Sequence, residues 1–281
     1  MTGSTSFVFT QVDVFTDRPL LGNPLAVVHG ADSLDEARMQ AFARWTNLSE
    51  TSFLLAPTDP GADYRVRIFT PGGELPFAGH PTLGSCHAWL EHGGLPKTPR
   101  EVVQQCGVGL VKIRLEAGRT AFAAPPLDRA EVDPATLDAV LAALGVRRSR
   151  LVASHWLRNG PGWLGLLLDS AEAVLAVTPE AGLMKPFRAV GLIGPHAAGS
   201  ECAFEVRGFV GGTSVYEDPV TGSLNAGFAE WLIDTGRAPE RYVASQGTKL
   251  GRAGRVHITK EDGAVWVGGS SVSCVRGELS L

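Results

Sequence analysis

Residues 72–85 read GGELPFAGHPTLGS and residues 211–223 read GGTSVYEDPVTGS. Both pass from glycine through an acidic residue to a proline that opens a largely apolar run, with His80 before Pro81 the first time and Asp218 before Pro219 the second. Proline suits the first turn of a helix, where its missing N–H costs nothing. Each stretch therefore reads as a loop turning into a helix. The first helix runs through TLGSCHAWLEH to Gly93 and Gly94, and the second runs from Pro219 to Gly236 with Leu224, Phe228, Trp231 and Leu232 inward.

Upstream of the first stretch, DYRVRIF alternates Tyr64, Val66 and Ile68 against Arg65 and Arg67, the two-residue period of a half-buried strand. CAFEVRGF alternates in the same way before the second stretch. Superposing the halves places Arg67-Ile68-Phe69 on Arg207-Gly208-Phe209, His80-Pro81 on Asp218-Pro219, Gly84-Ser85 on Gly222-Ser223, and Trp89-Leu90 near Trp231-Leu232. The period is too long for a solenoid, so the chain reads as an internal duplication giving two pseudo-symmetric domains. PPLDRAEVDP, rich in proline and charge, is the linker, which sets domains at residues 1–124 and 135–281 around a linker at 125–134.

The remaining patterns fill in the elements. SFVFTQVDVF is a strand by composition, and SLDEARMQAFARWT is a helix with Ser33 and Glu36 as a capping box and Leu34, Ala37, Ala41, Phe42 and Trp45 at helical spacing. DPATLDAVLAALG is a capped helix carrying Leu137, Val140, Leu141 and Leu144 on one side. The 281 residues, 44% hydrophobic and 19% charged, suffice for a large core, and a net charge of −4 with scattered Lys and Arg argues against nucleic acid. No apolar run approaches a membrane span and the amino terminus lacks a signal-peptide pattern, which places the protein in the cytoplasm. Cys86, Cys106, Cys202 and Cys274 are widely spaced and read as free core thiols.

The two helix starts suggest chemistry. The N–H groups of Thr82, Leu83 and Gly84, and of Val220, Thr221 and Gly222, are read as first-turn donors without an intrahelical partner, a setting that holds a carboxylate or phosphate. Two well-capped helices would look the same, since Asp218 is an ordinary N-cap residue; the duplication favours the functional reading. His87 and Glu91 share a helix face, but no third ligand accompanies them, so no metal is expected. The glycine-rich loops lack a nucleotide-binding context, and His29, His155, His196 and His257 read as structural.

LGNPLAVV, NLSETSF, FTPGGELPFAGHPTLGS, YEDPVTGS and QGTKLGRAGRV follow one another over essentially the whole chain in the order and spacing of the phenazine-biosynthesis-like (PhzF) proteins, which the sequence resembles. The resemblance implies an α+β fold like that of diaminopimelate epimerase. Each of its two similar domains would be an antiparallel barrel-like sheet around a central helix, with the active site between them, and the protein would be a homodimer. It further implies that Glu50 is the catalytic acid/base, with His80 and Asp218 as the polar residues facing it. Ser223 corresponds to a substrate contact and Gly79 lies in the same loop as His80; Asn23, Thr82, Leu83, Thr221 and Gly222 complete the expected substrate-binding set.

The residue chemistry fits that assignment. An epimerase of the related kind works with two thiols, one at the start of each central helix, and this chain has a cysteine in neither loop. It offers a histidine, an aspartate and a glutamate instead, the usual groups of acid–base catalysis. Leu48, Phe53, Leu54 and Leu55 flank Glu50, so partial burial would raise its pKa toward neutrality; an exposed turn carboxylate is the plainer alternative. Asp218 could orient a substrate amine or the imidazole of His80. The expectation is a cofactor-independent, metal-free isomerase moving a proton within a small, cyclic, carboxylate-bearing metabolite. The alternative is a non-catalytic binder of small anions with the same fold.

Overall fold

A computed structural model describes residues 5–211 and 216–281; residues 212–215, within the second glycine-rich stretch, lie outside the described residues. The chain divides into two compact units, Met1–Ala123 with Gly268–Leu281, and Ala124–Val267.

The first unit opens with β1 (Ser6–Val14) and β2 (Asn23–Val28), followed by α1 (Glu36–Thr46), β3 (Thr51–Leu55), β4 (Tyr64–Thr70) and β5 (Gly73–Leu75). Helix α2 (Gly79–Glu91) comes next, then β6 (Glu101–Cys106), β7 (Gly109–Glu116) and β8 (Arg119–Ala123). Nine of the residues of α2 are buried, and it packs against β1, β2, β3, β6, β8 and the C-terminal strand Ser271–Ser280. A helix buried on all sides by strands is the centre of its unit. Its approach is close: a Cβ on Gly84 would lie 2.6 Å from Leu25 and 2.8 Å from Val14.

The second unit contains β9 (Asp128–Ala130), α3 (Pro134–Leu144), β10 (Leu151–Arg158), β11 (Gly162–Leu168) and α4 (Ala171–Ala176). It continues with α5 (Ala181–Met184), β12 (Ala189–Pro195), β13 (Phe204–Val210), β14 (Tyr216–Asp218), α6 (Gly222–Asp234), β15 (Arg241–Gln246) and β16 (Gly254–Glu261). Helix α6 is again buried over nine residues, and Leu137, Val140, Leu141 and Leu144 of α3 join the apolar core under β11 and β12.

Strand pairing repeats from one unit to the other. In the first, β1 pairs antiparallel with β2, β2 parallel with β3, β3 antiparallel with β4, β4 antiparallel with β5 and parallel with β6, and β6 antiparallel with β7. The second gives the same sequence of pairings from β10 to β16. The half-buried strand read in DYRVRIF is β4, with Tyr64, Val66 and Ile68 buried.

Several boundaries differ from the sequence reading. The C-terminal strand pairs with β1, so Gly268–Leu281 goes with the first unit, a long-range pairing that no local pattern announces. Part of the expected linker is strand β9, paired with β10. The N-cap of α1 is Asp35, which accepts from the Arg38 N–H at 2.8 Å, because Ala31–Ser33 forms a separate 3₁₀ turn and takes Ser33 out of the capping position. Trp45, placed on the same spacing as Phe42, is 81% exposed. Of the four thiols, Cys86 and Cys202 are buried, while Cys106 and Cys274 are half-buried. No helix among the described residues is long and apolar enough to cross a membrane.

Candidate active site

Glu50 owes its position to the turn joining α1 to β3. Asn47 ends α1 in the left-handed region, φ 54°, a conformation asparagine tolerates better than most residues. The hydroxyls of Thr46 and Thr51 lie 3.1 Å apart and tie the two ends of the turn together. Within it, Ser49 donates to the side chain of fully buried Asn23 at 3.4 Å, so the start of β2 holds the turn from below.

Glu50 thus points its carboxyl at the start of α2, where Oε2 lies 3.4 Å from Nδ1 of His80. The two side chains are 18% and 6% exposed, and Oε2 has no hydrogen-bond partner among the described residues. Burial pushes the carboxyl up from 4.5 to about 7, with the Ser49 hydroxyl pulling modestly the other way. The turn carboxylate is therefore half-buried with Oε2 enclosed, and burial carries it into the pKa range of a working general base.

In the second unit Asp218, the last residue of β14, is half-buried and accepts from the Thr221 hydroxyl at 2.6 Å. Gln246 accepts from the Thr221 N–H at 3.0 Å, while Asn159 donates to the Ser223 carbonyl at 2.8 Å and Trp163 to the Ser223 hydroxyl at 3.2 Å. Thus the structure brings Asn23, Glu50, Gly79, His80, Thr82 and Leu83 into the first unit, and Asp218, Thr221, Gly222 and Ser223 into the second.

The first-turn donors need correction. Helix α2 starts at Gly79, before Pro81, so the Thr82 N–H is already spent on the Ala78 carbonyl at 3.1 Å. Proline is harmless at the third position because that N–H has no intrahelical partner anyway. Helix α6 starts at Gly222, after Pro219, because Asp218 and Gln246 hold Thr221 outside the helical turn. Its N-cap is Thr221 rather than Asp218, and its first-turn N–H groups are those of Gly222, Ser223 and Leu224.

Both lead-ins are clamped by an arginine. Arg67 on β4 forks onto Glu74 of β5 at 2.7 and 2.6 Å, and its guanidinium lies 5.1 Å from the Phe69 ring centre. Arg207 on β13 does the same to Glu217 of β14, at 2.8 Å twice, over the ring of Phe209. Glu217 precedes Asp218, so this clamp fixes the strand end that carries the aspartate.

Residues 12–277 match the family model for phenazine biosynthesis-like protein. This chain belongs to that family. It is 34% identical to antisense-enhancing sequence 1 of Schizosaccharomyces pombe over 98% of this chain and 99% of the relative. It is 33% identical to trans-2,3-dihydro-3-hydroxyanthranilate isomerase of Pseudomonas aeruginosa over 97% and 99%. A Bacillus anthracis structure of the PhzF family superposes with a TM-score of 0.85, at 22% identity over 98% of this chain and 99% of that one, and shares its fold.

The fold is the α+β, diaminopimelate epimerase-like one expected from the motifs, and several relatives of this PhzF-family chain carry isomerase names. It is an enzyme of the isomerase class. The sequence reading missed the polar residues that hold the Glu50 turn and the start of α6: Ser49, Asn159, Trp163 and Gln246, with Asn225, which donates to the Thr221 carbonyl at 2.9 Å. One signal was available. The superposed arginines, Arg67 and Arg207, each precede a glutamate that the hairpin folds back onto them, at Glu74 and Glu217. The apparent metal pair is occupied otherwise, since Ser273 bonds His87 at 3.1 Å and Glu91 at 2.6 Å and Arg276 forks onto Glu91.

Proposed function

We propose that this isomerase moves a proton within a small, cyclic, carboxylate-bearing metabolite by acid–base catalysis at Glu50, without a cofactor. The observation that carries the reading is the Glu50–His80 pair: a half-buried carboxyl held near neutral pKa, 3.4 Å from a buried imidazole. As carboxylate, Glu50 removes a proton from one substrate carbon. As carboxylic acid, it delivers that proton to another carbon while the double bond between them shifts, so one C–H bond breaks, one forms, and Glu50 returns to its starting state. No electrons leave the substrate, so the step needs no oxidant or reductant.

His80 fixes the path by holding a polar substrate group beside Glu50, and it also bounds the rotation of the Glu50 carboxyl. Asp218 keeps the substrate-orienting role read from the sequence, supported by its short bond from Thr221. The first-turn N–H groups of α6 suit a carboxylate. A cytoplasmic homodimer completes the proposal, and light scattering after gel filtration checks its mass.

Turnover of trans-2,3-dihydro-3-hydroxyanthranilate in deuterium oxide tests the reaction class, with other small unsaturated cyclic acids in parallel. The expected result is product carrying solvent deuterium at a new position. An acid that binds tightly and never exchanges identifies a binder. Asp218→Asn should lower the exchange rate and weaken binding together.

A further inference from the structure

The motif QGTKLGRAGRV has no part in the chemistry above, yet its first residue sits at the centre of the polar network beneath Asp218. Gln246 ends β15 and is 1% exposed. Its Oε1 accepts from the Thr221 N–H at 3.0 Å and from Asn225 Nδ2 at 2.8 Å. Its Nε2 donates to Thr221 Oγ1 at 2.9 Å and to the Asp218 carbonyl at 3.2 Å. A backbone N–H can only donate, so the atom facing Thr221 N must be the amide oxygen, and the nitrogen must face the hydroxyl. That hydroxyl has one proton. With the Gln246 amide occupying it as an acceptor, the proton goes to Asp218 Oδ2, 2.6 Å away.

The rest of the motif makes room for this arrangement. Gly247, at φ +90°, passes so close to the Asp218 turn that a Cβ would lie 2.7 Å from the Pro219 carbonyl oxygen. A Cβ on Gly254 would lie 2.4 Å from Val220, and one on Gly208 would lie 3.1 Å from Thr221 Oγ1. Gly208 on β13, Gly247 just after β15 and Gly254 at the start of β16 thus let the backbone close around residues 218–221, and Asn225, itself 2% exposed, bonds the Thr221 carbonyl at 2.9 Å from the helix side.

We propose that Gln246 is a positioning residue for Asp218, acting through Thr221: its amide sets the direction of the Thr221 hydroxyl and so holds Asp218 as an oriented carboxylate. The inference rests on the substrate role given to Asp218 above, but its test does not need a substrate. Gln246→Glu keeps Oε1 for the Thr221 N–H and Asn225 and replaces the donor by an acceptor, which draws the hydroxyl proton away from Asp218. Gln246→Met removes the polar groups without adding charge and leaves Thr221 unlocked.

The readouts are the three-bond couplings that report the Thr221 side-chain rotamer and the titration of the Asp218 carboxyl carbon, assigned with Asp218→Asn. In Gln246→Met Thr221 should pass from one rotamer to an average, in Gln246→Glu its rotamer should hold while its proton turns to the new carboxylate, and in both the Asp218 midpoint should rise by about half a unit to one unit as its donor is lost. A folded Gln246→Met with wild-type couplings and midpoint overturns the proposal, as does a midpoint shift seen in Gln246→Glu alone, which would be charge repulsion. If Gln246→Met does not fold, an unchanged Asp218 midpoint in Gln246→Glu overturns it. With trans-2,3-dihydro-3-hydroxyanthranilate as probe, Gln246→Met should slow exchange about tenfold in an otherwise wild-type background and add nothing to Asp218→Asn. Wild-type exchange by Asp218→Asn would retire the substrate role of Asp218 and leave the titration result for Gln246 standing.

Discussion

His80 Nδ1 lies 3.4 Å from Glu50 Oε2, with the histidine inside the first turn of a buried helix and the glutamate on the turn before a neighbouring strand. Neither side chain can move far. The histidine is walled in by its helix, and the glutamate turn is pinned by the Thr46–Thr51 contact and the Ser49–Asn23 bond. The proposed proton transfer would therefore need little reorganisation when substrate arrives.

Glu50→Gln keeps the shape but removes the proposed base, so proton exchange should fall by on the order of 10²-fold or more while ligand binding survives. With the carboxyl near 7, kcat/KM of the wild type should rise with pH about tenfold per unit on the acid side and level off above that value. Stopped-flow or deuterium-exchange rates across pH 5 to 9 on folded enzyme check both points. Near wild-type exchange by Glu50→Gln removes Glu50 from the mechanism and turns attention to His80.

The same carboxyl has a price in stability, with a definite sign. A carboxyl raised from 4.5 to about 7 holds its proton in the folded state over a window where the unfolded chain has lost it. Between those values the folded state binds more protons, so stability falls as pH rises, by on the order of 3 kcal/mol across the window. Glu230, raised to about 7 by burial and by nearby Asp234, adds to the same slope. Glu50→Gln removes only its own share: it should match wild type near pH 4.5 and melt several degrees higher at pH 8. Calorimetry at the two pH values decides, and an equal Tm at pH 8 shows that Glu50 is solvated.

Thiol chemistry is a separate matter. Cys86 lies about two turns into α2, is fully buried, and burial first, with Asp63 second, pushes its thiol up to about 12. A thiol so disposed stays protonated and inert. Cys86→Ala should retain most turnover after a packing loss of about 1 kcal/mol, and iodoacetamide should spare Cys86 in the folded protein while labelling it in urea. Loss of turnover from a well-folded Cys86→Ala would bring the thiol back into the mechanism.

The paired helix starts were legible because proline, glycine and an acidic or basic neighbour recur locally, and the half-buried strand before the first shows its period in seven residues; β13 before the second, read as alternating in the same way, is instead buried from Phe204 to Phe209, because Glu205 and Arg207 find partners inside. Glu50 was legible through apolar neighbours only in combination with a family pattern, since a glutamate in a turn is usually exposed. Helix limits misled because Pro81 tolerates the third position as well as the first, and because Asp218 bonds a side chain where an N-cap would bond a backbone N–H. The C-terminal strand escaped because its partner, β1, lies at the opposite end of the chain, and Gln246 because its partners Asp218, Thr221 and Asn225 lie 21 to 28 residues away.

The two arginine clamps look alike in sequence and should differ in strength. Arg67 is 25% exposed, and its partners Glu36 and Glu74 are 71% and 36% exposed, so water already screens the pair. Arg207 is 4% exposed and Glu217 13%, and the same guanidinium also satisfies the carbonyls of Val174 and Val177 at 3.1 and 2.6 Å, where α4 ends. Removing Arg207 strands a largely enclosed carboxylate and the Val177 carbonyl, while the Val174 carbonyl keeps the Val177 N–H; the loss should be about 3 to 5 kcal/mol, whereas Arg67→Met should cost about 1 kcal/mol or less. Replacing both members of the buried pair, Arg207→Met with Glu217→Leu, leaves no unpaired charge and should recover part of the loss. Urea unfolding of the three variants gives the order, and raising the salt concentration should weaken the wild-type advantage over Arg67→Met more than that over Arg207→Met. Equal losses for the two single variants would mean that burial of the Arg207 clamp adds nothing, and that the end of β14 is held by its strand pairing alone.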